Sequence, residues 1–132
     1  MSIPLICISL LAFLGMGLGF AVSITRSKTD TLIGSSTDPE DTLYKVIRAH
    51  GNTMEYVPLL ALLIYILSQF SISAWVLWCM VLVTFSRFLL VAGIIIPQTL
   101  AKPSPMRFVG ALGTYLAGFG LCIALLLQAF NA

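Results

Sequence analysis

The sequence predicts an all-α integral membrane protein, one domain of four transmembrane helices spanning residues 1–132. Three observations carry that reading. Of the 132 residues, 59% are hydrophobic and 9% are charged, whereas a soluble domain is about 25% charged. The mean hydropathy is +1.04, and the apolar residues collect in runs long enough for the ~20 residues that cross a bilayer. The basic residues gather in alternate loops, as they do in multispanning proteins.

The first run, about residues 3–25, has no basic segment before it and is longer than the apolar part of a signal peptide. Arg26 and Lys28 follow it, the pattern of a retained first helix. Gly15 and Gly19 within it form a small-xxx-small pair suited to close helix contact. Residues 26–41 are polar and contain Gly34-Ser-Ser-Thr-Asp-Pro-Glu-Asp41, which is loop chemistry, with Asp41 or Thr42 placed to cap the next helix.

The second helix is expected over about 42–69, with Pro58 bending it. A short turn without Lys or Arg leads to the third, about 72–96, whose Trp75 and Trp78 suit the membrane interface. A basic turn containing Lys102 precedes the fourth, about 105–130. There Gly110, Thr114, Gly118 and Cys122 recur every four residues, which predicts a smooth face for tight contact.

Arg26, Lys28, Lys45, Arg48, Lys102 and Arg107 all belong to the first and third loops or the helix ends beside them. The positive-inside rule then puts both basic loops in the cytoplasm and both termini outside, in an inner or plasma membrane. A formal net charge of +2 gives no reason to expect nucleic acid as a partner. Cys7, Cys79 and Cys122 lack ligand spacing and read as packing residues, and His50 has no second His or Cys near it, so no metal site is expected.

The polar residues inside the spans carry the functional signal. Arg48, Asn52 and Glu55 are four and then three residues apart, which places them on one helix face. Arg87 stands alone in the third run. Counted from the basic ends of their helices, Arg87 lies roughly 14 Å deep and Glu55 roughly 20 Å deep at ~1.5 Å per residue. Charges in hydrocarbon are costly and tend to pair, so a Glu55–Arg87 ion pair is expected. Arg26, Arg48, Asn52 and Arg107 would gather at the cytoplasmic helix ends as a cationic pocket. No protein nucleophile stands beside a base, so such a pocket suits an anionic ligand that brings its own reactive group.

The stretch Arg48-Ala-His-Gly-Asn52-x-x-Glu55-x-x-Pro58 resembles the helix-two signature of the MAPEG family, the membrane-associated proteins in eicosanoid and glutathione metabolism. The four spans, long first loop and basic second cytoplasmic loop agree with that family over nearly the whole chain. The resemblance implies a homotrimer in membrane lipid, with glutathione as cosubstrate between neighbouring subunits near the cytoplasmic side. It implies that Arg48, Asn52 and Glu55 hold the charged ends of the tripeptide. Arg26 is similar to the basic residue ending helix one, and Arg87 to the helix-three arginine that supports the glutamate. Arg107 is similar to the arginine facing the glutathione sulfur in catalytic members, where a cation favours the thiolate. That thiolate would attack a lipophilic small molecule or reduce a peroxide.

The chain departs from the family pattern at Gly51, Leu90, Ile94, Phe108 and Ala111, where some members place polar or aromatic ligand contacts. Those losses keep open a non-catalytic binding or structural protein of the same fold. A small proton-coupled transporter using Glu55 is a further alternative, disfavoured because Arg48 and Arg87 would pair the carboxylate and repel a cationic substrate.

Overall fold

A computed structural model describes residues 2–131, with the side chain of Asn131 left aside. Four helices follow one another: α1 (Ile3–Thr29), α2 (Thr42–Leu67), α3 (Ala74–Ile95) and α4 (Pro105–Asn131). Helices α1, α3 and α4 are each long and apolar enough to cross a membrane. Helix α2 has 26 residues but holds Lys45, Arg48 and Glu55. Phe13, Met16, Phe20, Trp78, Leu116, Phe119 and Phe130 are each at least 65% exposed. An apolar exterior of that kind belongs against lipid rather than water.

Local chemistry sets the helix ends. Helix α1 runs a turn beyond its expected end because its late polar residues satisfy themselves. The hydroxyls of Ser23, Thr25 and Thr29 donate to the carbonyls four residues back, at 3.2, 2.8 and 2.9 Å. Asp30 then closes α1 in the left-handed conformation at φ 49°, which an aspartate tolerates better than most residues. Asp41 caps α2 by accepting from the Tyr44 amide at 2.6 Å, as its type and position predict. At α4, the Arg107 amide donates to Ser104 Oγ at 3.4 Å.

Helix α1 packs chiefly on α2, and α3 chiefly on α4, while no Cα atoms of α1 and α4 lie within 8 Å. The first and third loops meet at one end of the bundle. The Leu100 amide donates to the Pro39 carbonyl at 2.9 Å, and Lys45 Nζ donates to the Pro97 carbonyl at 3.1 Å.

Small residues make the α3–α4 contact close. A Cβ added at Gly110 would stand 2.5 Å from the Leu90 amide nitrogen, and one at Gly93 would stand 2.9 Å from the Met106 carbonyl carbon. Gly113 and Gly120 lie against the side chains of Ser86 and Cys79. The face that meets α3 therefore runs Gly110, Gly113 and Gly120. The expected face of Gly110, Thr114, Gly118 and Cys122 is corrected: Gly118 looks toward Leu60 of α2, and Cys122 is exposed. Four residues turn an α-helix by about 400°, so strict four-residue spacing drifts ~40° per step around the cylinder. Gly15 and Gly19 of α1 do pack on α2, but against side chains, Met54 Sδ and the His50 imidazole. His50 thus faces α1 and leaves the polar stripe to its neighbours.

The buried interior divides into two apolar clusters. The larger includes Leu11, Leu60, Ile64, Met80, Val83 and Leu121, and the smaller Leu18, Ala49, Leu90, Val91 and Ile94. Between them lies a layer of buried polar residues: Thr53, Thr84, Ser86, Arg87 and Thr114.

Candidate functional site

The polar layer borders a cavity of about 350 Å³ between α2, α3 and α4. Helix α2 contributes Tyr44, Arg48, Asn52 and Tyr56, and α3 contributes Arg87, Leu90 and Ile94. Helix α4 and the turn before it contribute Leu100, Arg107, Ala111, Thr114 and Tyr115. Four of the expected site residues, Arg48, Asn52, Arg87 and Arg107, are therefore brought together.

Two are not. Arg26 turns back on its own loop, where its Nη1 donates to the carbonyls of Thr31 at 3.2 Å and Gly34 at 2.8 Å. Glu55 is exposed on the outer side of α2 and does not line the cavity. The ion pair expected between Glu55 and Arg87 is accordingly corrected. Arg87 Nη2 donates instead to the Asn52 side-chain oxygen at 2.8 Å and to the Asn52 carbonyl at 3.1 Å, with Thr53 Oγ1 at 3.4 Å. Its guanidinium also lies 5.2 Å from the centre of the Tyr56 ring, within the range of a cation–π contact. Arg87 is 1% exposed, and among the described residues its Nε is the one buried side-chain nitrogen or oxygen without a partner.

Arg107 is held from the loop side. Its guanidinium donates to the carbonyls of Leu100 at 3.3 Å and Lys102 at 3.0 Å. The contact of Gly93 with the backbone of Met106 and Arg107 brings the start of α4 against α3, which fixes where that side chain enters the cavity. Three guanidinium groups and an amide around a space of this size favour an anion, since arginine binds carboxylates through paired, charge-assisted hydrogen bonds. The volume falls at the small end of ligand sites, ~300–1,000 Å³.

Sequence reasoning missed the phenols. Tyr44, Arg48, Asn52 and Tyr56 form an unbroken four-residue series, and on α4 Tyr115 follows Arg107 by eight residues, two turns along the same wall. The Tyr56 and Tyr115 hydroxyl oxygens lie 2.9 Å apart, with the rings edge to face at 5.9 Å. These two residues and Thr114 also border a second, apolar groove of about 180 Å³, lined further by Leu59, Leu60, Leu63, Gly118, Phe119 and Cys122.

A family model described as the MAPEG family matches residues 4–127. The chain belongs to the MAPEG family. The match reaches into all four helices of this MAPEG chain and includes every residue that borders the cavity. No curated protein and no solved structure matches the chain significantly.

Proposed function

We propose that this MAPEG protein binds glutathione at the cationic cavity and transfers its thiolate to a lipophilic electrophile or a peroxide. The observation that carries the reading is the meeting of Arg48, Arg87 and Arg107 around one cavity in a MAPEG chain. Glutathione has two carboxylates, which suit guanidinium partners. Asn52, oriented by Arg87, adds an amide to the same wall. Arg107 is the cation for the sulfur, because a positive group beside a thiol favours the nucleophilic thiolate.

The exposure of Glu55 supports assembly. A carboxylate within a membrane helix is costly against lipid, and a neighbouring subunit in a homotrimer would cover it and supply it to a shared site. Arg26, also away from the cavity in its own chain, would act across the same interface. The contact between the two basic loops supports a cytoplasm-facing mouth, with both termini on the other side.

The test is titration of glutathione into the purified protein in detergent, followed by conjugation to an aryl chloride, for wild type and Arg107→Ala. Binding with turnover that falls ~100-fold or more in the variant is expected, the scale of losing one preorganised charge at a reacting atom. Binding without turnover would make the protein a glutathione-binding module. No binding by wild type would refute the proposal.

A further inference from the structure

We propose that Leu32 and Ile33 anchor the loop after α1 in the membrane surface, seated at the boundary between lipid headgroups and hydrocarbon. The inference concerns a part of the chain away from the cavity and does not depend on the cavity's ligand.

Exposure is the first observation. Leu32 is 88% exposed and Ile33 91%, more than any other large hydrophobic side chain among the described residues. Most exposed apolar residues of this protein lie along its helices, where hydrocarbon covers them. These two project instead from a polar loop of Thr, Gly and Ser. Adjacent aliphatic side chains left in water carry a cost that an apolar surrounding removes.

The second observation is how the backbone is held. Asp30 and Gly34 stand in the left-handed conformation, at φ 49° and 77°, and turn the segment back toward α1. Arg26 Nη1 then donates to the carbonyls of Thr31 at 3.2 Å, Leu32 at 3.4 Å and Gly34 at 2.8 Å. The Thr31 amide donates to the Arg26 carbonyl at 3.1 Å, and the Thr31 hydroxyl to the Thr29 carbonyl at 3.1 Å. One guanidinium thus serves three carbonyls that water would otherwise serve. Pairing backbone groups within the chain lowers the cost of leaving water. The clamp engages Nη1, so it is compatible with Arg26 also acting across a subunit interface.

Depth is the third. The uncharged residues 3–25 rise about 33 Å along α1 at ~1.5 Å per residue, against ~30 Å of hydrocarbon. Arg26 is the first charge after them and stands at the edge of that core. The clamp draws residues 31–34 back to the level of its guanidinium instead of letting them extend into water. The exposed apolar residues Phe13, Met16, Phe20 and Ile24 of α1 end two positions before Arg26, so Leu32 and Ile33 continue the lipid-facing surface to headgroup level. Charge agrees with lipid as the partner. Lys28 is exposed beside the clamp, and between Arg26 and Thr37 Asp30 is the one acid. Cations at this level attract anionic headgroups, while the aliphatic pair reaches beneath them, as interfacial anchors do.

The experiment puts a tryptophan at the tip, Ile33→Trp, in the full chain carrying Trp75→Phe and Trp78→Phe. The protein is reconstituted in vesicles of phosphatidylcholine and phosphatidylglycerol. Quenching by lipids brominated at graded depths should place the indole about 5–10 Å into the boundary of headgroups and acyl chains. Aqueous acrylamide should quench it little. Adding Arg26→Gln opens the clamp, and the indole should then leave that depth and gain acrylamide quenching; an unchanged depth would overturn the role of the clamp. Quenching of Ile33→Trp by acrylamide alone would put the tip in water and overturn the proposal. Shielding from both quenchers would put it against a neighbouring protein surface and overturn it equally. Leu32→Trp, read in the same way, supplies the measurement should Ile33→Trp fail to fold.

Discussion

A pair of substitutions on α4 isolates the contact that closes the α3–α4 half of the bundle. A methyl group at Gly110 would lie 2.5 Å from the Leu90 nitrogen, 2.7 Å from its Cα and 2.9 Å from its Cβ. The shortest of these is about 0.9 Å inside the 3.4 Å at which ordinary contact begins, and backbone atoms cannot rotate away. Helices α3 and α4 would have to separate, and overpacking of this kind costs about 1–3 kcal/mol. At Gly118 the same methyl would find Leu60 Cδ2 at 3.6 Å, an ordinary contact. Both replacements relieve the ~1 kcal/mol penalty of glycine inside a helix, so that gain cancels when they are compared. Gly110→Ala should therefore be less stable than Gly118→Ala by about 1–3 kcal/mol. Loss of helicity on titrating each micellar protein with a denaturing detergent gives the comparison. Coincident unfolding curves would refute the close approach of α3 and α4. The consequence for the site is direct, because Leu90 and Arg107 lie on the two sides of this contact and both border the cavity.

Two further outcomes are expected. Arg87→Leu and Asn52→Leu should each destabilise the protein, and the double variant should lose less than the sum, with a coupling of about 1.5–3 kcal/mol for a charged hydrogen bond. Arg87→Leu combined with Glu55→Leu should show no such coupling in a subunit held monomeric in detergent, and a coupling of equal size there would contradict the partner seen here. Asp41→Ala should cost about 1 kcal/mol through loss of the α2 cap, with Asp41→Asn close to wild type, as read by thermal unfolding in micelles.

The four helices were legible because apolar runs of spanning length stand out in composition. Three of them are apolar enough to cross a membrane, and α2 was legible from its length and its apolar second half. The cationic cavity was legible in part, since Arg48, Asn52, Arg87 and Arg107 stand out against an apolar background. Azimuth was harder to read. From Asn52 the next site residue on α2 could be Glu55, 60° back, or Tyr56, 40° forward, and spacing alone treats the two alike. Only the position of α4, set by glycines whose partners lie on another helix, selects Tyr56. Depth held more information than the expected pairing used. Asn52 lies about 15 Å in by the rise of its helix, level with Arg87, while Glu55 is a turn deeper. The carboxylate was favoured for its charge, but the amide and carbonyl of Asn52 stood at the right height. Tyrosines 56 and 115 were hidden for a different reason: a phenol in a membrane helix is compatible with plain packing, and only their mutual contact distinguishes them.

The pairing of α1 with α2 and of α3 with α4 also bears on how such a chain enters its membrane. Synthesis delivers the amino-terminal half first. Helix α2 carries three charges, and it emerges with α1 already available to cover His50 and Met54 through Gly19 and Gly15. That first hairpin holds the Asn52 carbonyl and side-chain oxygen before Arg87 has been made. When α3 follows, its guanidinium meets two waiting acceptors instead of bare hydrocarbon. The order of translation thus supplies the acceptor before the donor, and the most deeply buried cation of the chain need never be stranded during biogenesis.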